Sequence, residues 1–177
     1  MEKAKKPKNV KLMIGMLAKN KNLFKWAEGS FIKEFGEIDY ESPLISFNYT
    51  DYYKKEIGHP LKRKFISFKR LIPPGRIAKI KVTTNLIEKK SSNKKNGSLQ
   101  RNINIDPGYI SDAKLILATT KDYCHRIYLD KGIYAEVTLS WKKDSFEPLE
   151  WTYPDYRTSE YIAVLNKIRT SYMERRS

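Results

Sequence analysis

Two β-prone segments, residues 124–129 and 133–141, flank Asp130-Lys131-Gly132, and this hairpin signal constrains the fold more than any other stretch. The turn glycine supplies the left-handed conformation that a tight connection needs. Alternation on either side then sets a register, with Tyr128 opposite Tyr134 and Arg126 opposite Glu136. Those four side chains share one face with Thr138 and Ser140. The other face carries Ile127, Leu129, Ile133, Ala135, Val137, Leu139 and Trp141 and reads as core. His125, one position before Arg126, is expected to point the opposite way, away from Glu136.

The remaining pattern supplies partners for this hairpin. Residues 10–17 read as a buried strand, and Asn22 as the cap of a helix that runs to Phe35 and stops at Gly36. A weak strand is expected at 44–48, then Thr50 capping a short helix over 51–57 that ends at Gly58. A cationic strand candidate spans 62–72, after which Pro73-Pro74 opens a helix with Ile77, Ile80 and Ile87 on one stripe. The polar run 89–100 reads as a mobile basic loop. Residues 102–106 alternate as a strand that Pro107-Gly108 breaks, and 113–119 form a short apolar strand. A Pro-marked corner at 151–156 leads to a last helix, 158–174, striped by Tyr161, Leu165, Ile168 and Tyr172. The expected fold is α+β: one domain over 10–177, a mostly antiparallel sheet or meander with helices 22–35, 76–90 and 158–174 packed against it. A basic flexible tail, 1–9, precedes it.

Charge says something about partners. The 177 residues hold 35 Lys and Arg against 20 Asp and Glu, and residues 61–100 alone hold twelve cations and one acid. Such a block fits a polyanion partner, and it equally fits a drift in composition toward lysine. The single Cys124 excludes an internal disulfide or a multi-thiolate metal site. No apolar run approaches the ~18 residues of a membrane span and no signal peptide is evident, so a cytoplasmic protein without membrane association is expected. Neither a GxxxxGK[ST] loop nor a GxGxxG turn occurs, and with only 2 histidines no metal or cofactor site is expected.

Polar residues that these strands gather define the candidate site. Asn104 and Asp106 share a strand face, and Thr120 and Lys121 end the next apolar strand. With Tyr109, Arg126, Tyr128, Tyr134 and Glu136 they form a pocket suited to an anionic small molecule or a nucleic-acid segment. That reading makes the chain a ligand-binding module for a nucleotide such as GTP, or for RNA. A second reading is a small enzyme of hydrolase or phosphoryl-transfer type. There Asp106 or Glu136 acts as general base, Lys121 and Arg126 steady an anion, and His125 completes the titratable set. Structural roles compete with both: Asp106 as the cap of the Pro107-Gly108 turn, Arg126–Glu136 as an exposed ion pair, His125 as a hydrogen-bonded bystander. Cys124 is poorly placed as a nucleophile.

The motifs IGML (14–17), FGEIDYES (35–42), FISFKRLI (65–72), NIDPGY (104–109), LATTKDYCHRIYL (117–129), GIYAEVTL (132–139) and WTYPDY (151–156) together resemble a bacterial family known as domain of unknown function 4416. The resemblance spans residues 10–172. It implies a single bacterial domain of about this length and carries no reaction with it.

Overall fold

The computed structural model describes residues 3–53, 56–95 and 97–176. In chain order the elements are β1 (Lys11–Ala18), α1 (Lys21–Phe35), β2 (Ile38–Glu41), β3 (Ile45–Phe47), β4 (Leu61–Phe68) and α2 (Ile77–Lys90). There follow β5 (Asn93–Lys95), β6 (Ser98–Gln100), β7 (Ile103–Ile110), β8 (Lys114–Thr119), β9 (Arg126–Asp130), β10 (Ile133–Lys142), β11 (Ser145–Pro148) and α3 (Ser159–Arg175). Among the described residues, nine strands join one antiparallel sheet of order β11-β10-β8-β7-β1-β4-β2, with β3 beside β4 and β9 beside β10. The architecture is α+β.

Alternation along β1 explains the layers. Leu12, Ile14, Met16 and Ala18 face one side and pack with Phe24, Ala27 and Phe31 of α1 and Ile77, Ile80 and Ile87 of α2. Met13 faces the other, with Phe65, Leu115, Leu139 and the α3 stripe Tyr161, Leu165, Ile168 and Tyr172. Helices therefore cover both faces of the sheet, and the central strand is buried throughout. Burial of these stripes supplies the main drive to fold.

The hairpin forms in the expected register: Tyr128 pairs with Tyr134 and Arg126 with Glu136, and Gly132 sits at φ +74°. Its apolar face departs from expectation. Ile127 is 71% exposed and Leu129 is 39% exposed, because β9 lies at the sheet's edge, paired with β10 alone among the described residues. Ile133 and Leu139, on β10, are buried as expected.

Other elements differ for local reasons. Asn20, not Asn22, caps α1; its extended backbone lets its side chain accept from the Leu23 N–H at 3.1 Å. Gly36 ends the helix at φ +95°. The short helix expected over 51–57 is replaced by turns where it is described; Lys54 and Lys55 lie outside the described residues. The 89–100 run is not an open loop: α2 continues to Lys90, and β5 pairs with β6. Residues 3–9 are exposed and irregular. β7 runs straight through Pro107-Gly108, since β1 pairs with it all the way from Ile103 to Ile110. β8 joins β7 only at Gly108, just past the residue that lacks an N–H.

Candidate functional site

That late joining creates the site. β7 and β8 pair over Gly108–Ile110 only and then diverge, leaving one edge of β7 open. At Ile105 the open edge is met by side chains of α2: Glu88 accepts from the Ile105 N–H at 2.5 Å, and the Lys81 ammonium donates to its carbonyl at 2.8 Å. Both backbone groups are thus satisfied without a neighbouring strand. The space between the diverged strands is a cleft of about 630 Å³. Its walls come from β4, α2, β7, β8, the tyrosine-rich turn 49–53 and the corner before α3. Pockets that hold small ligands fall in this size range.

The inner end is built around Arg63, which is 2% exposed. Its guanidinium donates to Asp155 at 3.1 Å, Tyr161 at 3.2 Å and Asp106 at 3.4 Å, and it lies 5.4 Å from the centre of the Phe47 ring. Burial works against this charge, yet the surrounding tyrosines and carboxylates keep the guanidinium protonated well above its ordinary range. Burial also pushes the Asp155 carboxyl up, against the pull of Arg63. The Tyr161 hydroxyl is raised to about 12 by the same burial. Asp106 is held by Asn104, which donates to Oδ2 at 2.6 Å, while Lys81 stands 3.8 Å from Oδ1. Along one wall Arg101 ties together Glu88 at 3.1 Å, Asn104 at 2.9 Å and Glu56 at 2.9 Å. Burial raises Glu88 as well, partly offset by Lys81, Arg101 and the Ile105 N–H.

The mouth has a different character. Glu136, 2% exposed, accepts from Arg126 Nε at 2.9 Å and from His125 at 2.9 Å, which requires the proton on His125 Nε2. Thr138 donates to its other oxygen at 3.3 Å. Arg126 also donates to the Tyr153 hydroxyl at 2.7 Å and the Lys121 carbonyl at 3.1 Å. Lys121 reaches across to Tyr52, its ammonium 4.4 Å from the ring centre and 3.3 Å from the hydroxyl. It makes no ion pair among the described residues.

Of the residues expected to form the site, Asn104, Asp106, Thr120, Lys121, Arg126 and Glu136 line this one cleft. His125 stands behind it. The expected separation of His125 from Glu136 is wrong, because His125 precedes the ladder and strand alternation does not govern it. Its ring stacks on Trp151 at 5.3 Å and 11°. Tyr109 is not in the cleft. With β7 unbroken, it falls on the opposite face from Asp106 and packs against the core under α1 and α2. Tyr128 and Tyr134 share the face of Arg126 but lie nearer the hairpin turn, where they pack edge-on at 5.4 Å outside the cleft lining. Asp106 caps no turn, and Asp155 serves Arg63 through its side chain.

Sequence reasoning missed Arg63, Lys81, Glu88, Arg101 and Tyr156. A signal was present for three of them. Arg63 lies between Leu61 and Phe65 on the apolar alternation of β4, and Lys81 and Glu88 sit seven apart on the buried stripe of α2. Charges on a core-facing stripe are costly unless partnered, and so mark a built polar site. Among the described residues, no cluster of His, Cys, Asp or Glu is arranged to hold a metal ion, and no helix is long and apolar enough to cross a membrane.

Fold and cleft define an α+β protein with a polar, tyrosine-rimmed cavity at a split in its sheet. The chain belongs to the family described as Domain of unknown function (DUF4416), whose model matches residues 8–172. No curated protein and no solved structure matches it.

Proposed function

We propose that the cleft binds an anionic ligand of nucleotide size, such as GTP, with its phosphates at the mouth. The observation that carries this reading is Lys121. It is held over Tyr52 without a carboxylate partner among the described residues, beside the Arg126 guanidinium and the Thr119-Thr120 hydroxyls. A point charge next to a guanidinium fork suits phosphate oxygens. The tyrosine turn behind it offers flat rings for stacking. A cytoplasmic bacterial protein would meet such ligands at useful concentrations. Calorimetric titration with GTP and with a short RNA tests the reading: Lys121→Ala should weaken binding, and so should Arg126→Ala. Equal affinity in all three proteins would refute it.

Asp106 favours a second, enzymatic reading. Its side chain is 28% exposed and its Oδ1 accepts no hydrogen bond among the described residues, so it has capacity to take a proton from a nucleophilic water. Glu136 lacks that capacity, being saturated by three donors. Nucleotide turnover that Asp106→Asn abolishes while binding persists would favour this reading over simple binding.

A further inference from the structure

One group in the cleft wall is left out of every pair described above. The Tyr156 side chain is 3% exposed and lines the cleft, and its buried hydroxyl has no hydrogen-bond partner among the described residues. Unpaired buried hydroxyls are disfavoured in a folded protein, and a phenylalanine would pack here without that cost. The ring is held edge-on by Phe65 and Tyr161. Beneath it lies Gly15, where a Cβ would stand 3.1 Å from Phe65, 3.3 Å from the hydroxyl and 3.4 Å from Arg63. The hydroxyl therefore occupies a fixed place.

The charge around it is already balanced. Arg63 and Lys81 face Asp106 and Asp155. A phosphate at this end would meet two carboxylates whose cations are engaged, whereas an uncharged group meets no such opposition. Asp106 Oδ1 offers an open acceptor, Tyr156 a buried donor at the cleft wall that is left unpaired among the described residues, and Phe47 and Tyr53 supply flat walls. An acceptor and a donor between aromatic walls match the edge of a heterocyclic base.

We infer that the nucleotide enters base first. The base edge donates to Asp106 Oδ1 and accepts from the Tyr156 O–H, and the phosphates stay at Lys121. This inference rests on the nucleotide reading above and adds the orientation and the residues that read the base.

The test is calorimetric titration of the full chain, as wild type, Tyr156→Phe, Asp106→Asn and Lys121→Ala, with GTP, ATP, UTP and ribose 5-phosphate. Tyr156→Phe should weaken the best-bound triphosphate by about tenfold, the loss expected for one hydrogen bond, and leave ribose 5-phosphate unchanged. Its thermal midpoint should equal or exceed that of wild type. Asp106→Asn should show the same selectivity for ligands that carry a base, and so tests the orientation even if Tyr156→Phe folds poorly. Lys121→Ala should weaken all four ligands. If the inner variants leave the triphosphates unaffected, or weaken ribose 5-phosphate equally while Lys121→Ala still weakens everything, the orientation is wrong and the nucleotide reading stands. If wild type binds none of the four, both fall.

Discussion

Arg63→Met is the perturbation that tests most directly how the cleft is held together. Arg63 and Asp155 are buried on both sides of their 3.1 Å contact, their side chains 3% and 9% exposed. Methionine keeps much of the stem's volume, so little packing is lost against Phe47 and Phe65. What goes is the charge. Breaking a buried pair strands its partner and costs about 3–5 kcal/mol, a large part of the ~5–15 kcal/mol that holds a typical domain folded. Asp155 is the stranded partner. Burial already raises its carboxyl above the ordinary 3.8, and the guanidinium is the chief restraint on that rise. Without Arg63 the folded-state value climbs further. The folded state then holds the Asp155 proton more tightly than the unfolded chain does. Stability of the variant should recover as pH falls through the raised value toward the ordinary one, and the deficit should be full above it. Urea unfolding followed by tryptophan fluorescence at pH 7 and pH 5 measures both effects. Arg63→Met should lose about 3 kcal/mol at pH 7 and less at pH 5. Adding Asp155→Asn should return at least about 1 kcal/mol by removing the stranded charge. A loss under about 1 kcal/mol at pH 7, or one indifferent to pH and to Asp155→Asn, would refute the reasoning.

Three further outcomes follow from the same structure. Gly108→Ala would set a Cβ 2.3 Å from the Ile116 carbonyl oxygen, so the β7–β8 pairing must shift, at about 1–3 kcal/mol in chemical denaturation; an unchanged midpoint would show that the strands do not approach as described. Ile127→Thr on the exposed edge strand should stay within about 0.5 kcal/mol of wild type, whereas a core position would lose far more. Glu88→Gln leaves Arg101 and Lys81 short of a counter-charge and weakens the bond to the Ile105 N–H, so amide exchange at Ile105 should quicken markedly; unchanged protection there would mean that another group holds that edge.

Where a segment's pattern and its surroundings agree, the sequence was readable. The Asp130-Lys131-Gly132 hairpin carries its own register, because turn chemistry and two-residue periodicity both point to Arg126 facing Glu136. The α3 stripe was equally plain, since four large apolar residues at helical spacing have only one face to share. Tertiary context decided the rest. Pro107-Gly108 reads as a break in isolation, but continuous pairing with β1 holds the chain extended through it, and that alone moves Tyr109 to the far face. β2 and the β5–β6 hairpin are too short and polar to announce themselves. The cationic block 61–100 was read by its sum rather than by its geometry. Arg63, Lys64, Lys69 and Lys81 turn toward carboxylates, while Arg70, Lys79 and Lys90 are exposed. Half of the site, from Asp106 to Arg126, was visible as polar residues at strand ends. The other half lay concealed as charges among isoleucines and phenylalanines.

The unzipped stretch between the seventh and eighth strands has an evolutionary corollary. A hollow made this way needs no inserted lid or extra subdomain; its depth depends on how far two adjacent ribbons stay fastened. Restoring the missing amide at position 107 and shortening the side chains that α2 extends to Ile105 would let the fastening run on and seal the hollow, whereas moving the proline two positions on, to 109, where the amide again faces β8, would deepen it.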